Sequence, residues 1–312
     1  MQTPDRKPTT AVIFDSSLED EIGQVLGLTM LLAYETKHEI RITSLSVSRN
    51  NLKVTGFLDL MSRYFGISAT IGMALNGPSE SNVPPFLEAV LTRRTPDDKP
   101  AYARTINRLN DTADPVALIR NALTAQPDQN SVVVLAGPST NLLGLLALPG
   151  NKQLIEKKVR TLVIAAPFND RQGMARLFQE WPGPIICAGT ELGQALSFPA
   201  ESIEKDFEWA AGNHPLLDAF RAAEGLLHDA PAAALAAVLY AAHPEENYFK
   251  VSEPGVLDVA ANGREVFTPH SQGKHRQMLL DPENQVRVIE TYRQVVSTKP
   301  PESRRSTRGS QP

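Results

Sequence analysis

The 312-residue chain has a single cysteine, Cys187. One thiol excludes an internal disulfide framework. It lies in the apolar run Pro184-Ile185-Ile186-Cys187-Ala188, which reads as a buried structural thiol and not a nucleophile. No Cys/His spacing of the zinc-binding kind occurs, and no histidine stands between His38 and His214. No run of about 18 apolar residues is present, so no membrane span is expected. The opening MQTPDRKPTT has no apolar core of the secretory type, so a cytoplasmic protein is expected. There is no basic excess either. The formal net charge is −4, which leaves no electrostatic footprint for nucleic acid.

What is present is ordinary for a globular protein: 42% hydrophobic and 21% charged residues. The length allows one large core or two modest ones. With no internal repeat and no clear linker, one domain over residues 11–298 is expected. It is flanked by a flexible start (1–10) and a polar, Pro-rich, basic tail (299–312) that reads as disordered. Short apolar runs alternate with helical patterns. Strands are expected at 11–14, 41–47, 67–73, 131–135, 161–166 and 184–188. Helices are expected at 52–65, 115–125, 140–148, 173–180 and 286–296. Residues 76–114 read as an extended loop with one short helix at 85–91. The stretch 199–239 is mainly helical, and 256–260 with 266–268 suggests a late antiparallel pair. This order predicts an α/β fold with a mostly parallel central sheet and helices on both faces.

The chain is organised around Ala11 to Leu32. Ala11 to Phe14 reads as a buried strand, and Ile22, Val25, Leu26, Leu28, Thr29 and Leu32 recur at helical spacing. The turn between them carries Asp15, Glu19, Asp20 and Glu21. Ser17 followed by Asp20 suits a capping box, and acids suit a first helical turn. That leaves Asp15 unexplained. A carboxylate at the tip of a buried strand is costly unless paired, hydrogen-bonded or bound to a cation. In open α/β sheets such strand tips are where ligands bind.

Two further strand-to-helix or loop-to-helix junctions stand out. Leu135-Ala136-Gly137-Pro138-Ser139-Thr140-Asn141-Leu142 joins a strand to a helix, with Ser139 or Thr140 as a candidate cap. Leu227-His228-Asp229-Ala230-Pro231 precedes an Ala-rich helix, where Asp229 could cap and His228 lie on the surface.

Taken together, these segments resemble the nucleoside hydrolases of the inosine–uridine-preferring type. Their opening D-x-D-P-G-x-D-D is matched by Ile13 to Asp20, with Asp15 at the middle Asp, Glu19 and Asp20 at the last two, Ile13 at the first, and Ser16-Ser17 at Pro-Gly. The family's G-P-L-T-N is similar to Gly137 to Asn141, and its H-D-x-x-A to His228 to Ala232. The resemblance spans residues 11–296 in family order. It implies one Ca²⁺ held by Asp15, Asp20, Asp229 and the Ala136 carbonyl, an oxygen set that suits a hard cation. It implies Asp15 as the base that activates water, Glu19 and Asp229 on ribose, and His228 facing the leaving base. It also implies a nucleoside-hydrolase-like, Rossmann-like fold.

The pattern departs elsewhere. The family's V-A-G-N appears as Ser46-Val47-Ser48-Arg49, which puts Arg49 at the pocket Asn, with a solvated loop arginine as the plainer reading. The ribose-binding loop is shortened to Ala165-Ala166-Pro167-Phe168-Asn169-Asp170. It keeps Asn169 as a ribose ligand and loses its Glu. The implied function is Ca²⁺-dependent hydrolysis of N-ribosyl bonds in a nucleoside or related riboside. The altered pocket leaves two alternatives: a hydrolase for another ribosyl compound, or a sugar-binding protein without turnover. No nucleic-acid or membrane partner is expected, and self-association into a homo-oligomer is left open.

Overall fold

The computed structural model describes residues 8–18, 21–76, 83–224 and 228–301. The chain opens with β1 (Thr10–Ser16), α1 (Ile22–Thr36), β2 (Ile40–Val47), α2 (Leu52–Tyr64) and β3 (Ile71–Met73). Next come α3 (Pro85–Thr92), α4 (Pro115–Ala125), β4 (Ser131–Ala136), α5 (Thr140–Ala147), α6 (Asn151–Lys158) and β5 (Val159–Ala165). They are followed by α7 (Arg171–Glu180), β6 (Ile185–Ala188), α8 (Thr190–Ala195), α9 (Ala200–Lys205), α10 (Pro215–Glu224) and α11 (Ala233–Ala242). The chain closes with β7 (Lys250–Val251), β8 (Gly255–Val259), β9 (Glu265–Pro269), β10 (His275–Leu279) and α12 (Gln285–Val296). No described helix is long and apolar enough to cross a membrane.

One sheet runs in the order β3-β2-β1-β4-β5-β6-β10-β8-β9, with β7 paired on β10. β1 to β6 are parallel neighbours, and β10 joins β6 in parallel. β8, β9 and β7 add the antiparallel margin. The strand order reverses between β1 and β4. In open α/β sheets that reversal opens a crevice at the carboxyl ends of the strands.

The central strands are buried on both faces, as parallel strands covered by helices must be. Alternation sorts their side chains into two cores. Val12, Phe14, Val132 and Val134 face one core, which includes α1, α11 and α12. Ile13, Val133, Leu135 and Leu162 face the other, against α4, α5 and α7.

The structure differs locally from the sequence reading at several points. β1 runs on to Ser16, so Asp15 is a strand residue and not part of the turn. The first helix has Glu21 at its N-cap position with no side-chain cap bond; Ser17 is buried ahead of it, and the Asp20 half of the expected Ser17–Asp20 capping box lies outside the described residues. β10 carries no apolar run. Its sequence HRQML buries only His275 and Met278, and its strand state comes from pairing with β6, a neighbour in space that spacing cannot announce. β3 is also shorter than its apolar run, and α6, α8 and β7 have no periodic signal.

Helix α1 lies against the start of α11 at very short range. A Cβ added at Gly23 would stand 2.2 Å from the Pro231 carbonyl oxygen, and one at Gly27 2.9 Å from the Ala234 Cβ. Glycine is therefore required at both points, and the contact draws the His228–Pro231 segment onto the first turn of α1. Gly23→Ala should lower stability by about 1–3 kcal/mol, the usual range for overpacking against backbone. Gly183→Ala meets nothing closer than the Trp181 ring at 3.5 Å and should be near neutral. Urea denaturation of both variants checks this.

Candidate active site at the strand-order reversal

Asp15 sits near the carboxyl end of β1, in register with Leu135 of β4 on one side and Ser46 of β2 on the other. It is fully buried. Ser46 Oγ donates to Asp15 Oδ1 at 2.8 Å, and Asn141 Nδ2 donates to the same oxygen at 2.9 Å. Asn141 Nδ2 also donates to the Val47 carbonyl at 3.3 Å, so one amide ties α5 to both strand ends. The other carboxyl oxygen, Asp15 Oδ2, has no hydrogen-bond partner. Burial pushes the Asp15 carboxyl up from 3.8 to about 7, against the pull of the Asn141 and Ser46 bonds.

Ala136 ends β4 beside it, paired with Ser16. Its carbonyl accepts the Ser17 N–H at 3.1 Å and the Ser16 hydroxyl at 3.0 Å. The following turn must be glycine. A Cβ at Gly137 would fall 2.5 Å from the Ser17 nitrogen and 2.7 Å from Ser48 Oγ. Leu18 closes the β1 turn in the left-handed region at φ 54, a conformation that costs a non-glycine residue about 1–2 kcal/mol. Such strain collects at functional sites.

His228 and Asp229 are both exposed. They line a cleft of about 160 Å³ with Glu21, Ile22, Phe86 and Phe220. Asp229 Oδ1 accepts the Ala200 N–H at 2.9 Å. Asp229 therefore caps α9 across the chain, and α11 starts from Ala232 instead. Glu21 also borders a narrow extension of about 20 Å³ lined by Ala165, Ala166 and Pro167, at the carboxyl end of β5. The Gly23–Pro231 contact holds these walls together.

The structure thus places Asp15 and Ala136 near the ends of neighbouring strands, and His228 with Asp229 at the cleft. Glu19 and Asp20 lie outside the described residues. Among the described residues, no three His, Cys, Asp or Glu side chains form a group that could hold a metal ion. Arg49 is only 5% exposed, which corrects the reading of a solvated loop arginine. Asn169 is exposed, while Phe168 beside it is buried with its ring centroid 5.7 Å from that of Phe178. Ser139 stands at the α5 N-cap position, but its hydroxyl donates to Asp170 Oδ2 at 2.6 Å. Ser46 and Asn141, which grip Asp15, had no assigned role in the sequence. The available signal was a polar Asn141 in the first turn of an otherwise apolar helix.

No protein-family model and no curated protein sequence matches the chain. Solved structures do. The purine-preferring ribonucleoside hydrolase from Gardnerella vaginalis is 13% identical, over 92% of this chain and 98% of that one, with TM-score 0.68. A plant nucleoside hydrolase is 15% identical, over 94% and 100%, with TM-score 0.68. The type III effector protein XopQ, complexed with adenosine diphosphate ribose, is 12% identical, over 94% and 95%, with TM-score 0.61.

The Asp15 environment predicts a pH signature in protein stripped of divalent cations. The folded-state pKa is raised, so the carboxyl's contribution to stability is complete below about 3.8 and is lost as pH rises through about 7. The shift is worth roughly 4 kcal/mol. Asp15→Asn should remove this slope, gaining most over the parent near pH 8 and little near pH 4. Urea unfolding at several pH values in a chelator measures it.

Proposed function

We propose, on the premise that the chain has the nucleoside hydrolase fold, that it hydrolyses N-ribosyl bonds of nucleosides or related ribosides. The observation that carries this is the unpartnered Asp15 Oδ2, buried at the strand-order reversal. A carboxylate that is ionised at the working pH can accept a proton from water. Ser46 and Asn141 fix Oδ1, which leaves Oδ2 as the oxygen that accepts the proton of an attacking water.

The orphan carboxylate oxygen Oδ2 fits a hard cation. Asp15, Asp20, Asp229 and the Ala136 carbonyl would hold Ca²⁺, the last two oxygens sharing it with the hydrogen bonds they already accept. Bound there, the ion would lower the pKa of a water molecule. The remaining work belongs to side chains. Asn169, Glu19 and Asp229 would hold ribose hydroxyls as the sugar gains oxocarbenium character. Arg49 would border the sugar pocket. His228 would aid departure of the base, with Phe86 and Phe220 as apolar walls of the same cleft.

A second reading is a nucleoside- or sugar-binding protein without turnover. Full burial of Asp15 and the two donors already on Ala136 favour it. A hydrolase for a different ribosyl compound is the third. Activity separates them. Asp15→Asn keeps an oxygen but cannot take a proton at neutral pH, so it should lose about 10²–10⁴-fold in rate. His228→Ala should lose less on a nitrophenyl riboside, whose leaving group needs no proton, than on a nucleoside. Reducing-sugar assays over a nucleoside panel, with and without chelator, test this. If the parent releases no ribose from any of them with calcium present, the hydrolase reading fails.

The cation has its own test. Calorimetric titration of Asp229→Ala with Ca²⁺ should show affinity lower than the parent's. Unchanged affinity would make Asp229 only the cap of α9.

A further inference from the structure

The amino ends of the central strands hold a second cleft, of about 450 Å³, that the riboside chemistry does not use. Val132, Thr161 and Ile186 lie on its floor, at the amino ends of β4, β5 and β6. Tyr240, near the end of α11, forms one wall. Two half-buried arginines, Arg160 and Arg276, reach into it from β5 and β10.

Local geometry places both guanidiniums there. In the β4–β5 pairing Ser131 is opposite Val159 and Val132 is opposite Thr161, so the register skips Arg160. A bulge of this kind re-aims the extra side chain. Simple alternation would send Arg160 to the face of Leu162, away from α11. The bulge brings it to the cleft beside Thr161. Arg276 pairs with Ile186 in the adjacent parallel ladder and shares its face.

Hydrogen bonds hold both arginines in place. Arg276 donates to the Ser252 carbonyl at 2.7 Å, and Arg160 to the Thr10 hydroxyl at 3.5 Å. Neither guanidinium is matched by a carboxylate among the described residues, though the exposed Glu245 stands in the lining. Both act on the Tyr240 phenol, opposing the rise in its pKa that burial causes. Half-buried arginines with no carboxylate partner among the described residues, beside a hydroxyl donor, match a planar or tetrahedral oxyanion. The apolar floor and the volume leave space for more than the anion itself.

We propose that this cleft binds a small phosphate monoester, with Arg160 and Arg276 on the phosphate and the Tyr240 hydroxyl as a further donor. Calorimetry with ribose 5-phosphate and with inorganic phosphate, at matched ionic strength in chloride, tests it. The monoester should bind more tightly than phosphate, because the floor adds contact to its sugar. Arg160→Gln should weaken both by tenfold or more. Its described hydrogen bond is long, so the fold should survive, and thermal unfolding checks that. Arg276→Gln should weaken binding similarly. Asp15→Asn should bind both probes like the parent, which separates this cleft from the riboside site. If neither probe binds at millimolar concentration, or both arginine variants bind like the parent, the proposal is wrong. The arginines would then serve only to complement the carboxyl end of α11.

Discussion

A fully buried carboxyl group with no counter-charge among its described neighbours is the constraint on which the centre of this molecule turns. Burying such a group without compensation is expensive. Here half of it is compensated. Two neutral donors grip Asp15 Oδ1, one from β2 and one from the first turn of α5. Oδ2 is left alone. The parallel register of β1 with β2 and β4 brings the donors within reach, and Gly137 lets the β4–α5 turn close over the end of β1. The group that completes the compensation is a proton at low pH or, on our reading, a cation and a water in the working protein.

The same economy of small residues shapes the cleft beside it. Gly23 and Gly27 let α1 approach α11 until backbone meets backbone. That approach carries His228 and Asp229 to the side of Glu21 and faces them toward Phe86 and Phe220. α11 then runs, almost wholly buried, to Tyr240 at the amino ends of the central strands. One helix thus has the His228–Asp229 cleft before its first turn and the arginine-lined cleft at its last.

Much of this was legible in the residues. Apolar runs such as SVVVL gave β4, the helical spacing after Ile22 gave α1, and an acid at the end of an apolar run pointed to the strand tip where ligands bind. The boundary was off by enough to matter: Asp15 is inside the strand, and its burial follows from that. What spacing could not carry is pairing at a distance. β10 is a strand because β6 lies beside it, and Asp229 caps a helix that begins at Ala200, before it in sequence. Ser46 and Asn141 carry no charge pattern, so their grip on Asp15 emerges only when three elements meet. Arg160 was silent for the same reason, since a one-residue bulge decides which face it serves.

The account rests on the state of one carboxyl, and that state can be read directly. Protein labelled with ¹³Cγ-aspartate, with Asp15 assigned by its loss in Asp15→Asn, can be titrated by NMR. Without divalent cations the Asp15 carbon should titrate near pH 7, as its burial demands. With calcium added it should stay ionised from about pH 5 to pH 8, because a ligating carboxylate is held deprotonated. An ordinary midpoint near pH 4 in cation-free protein, or a midpoint that calcium leaves unmoved, would contradict the claim that Asp15 is the buried, cation-completed base of this fold.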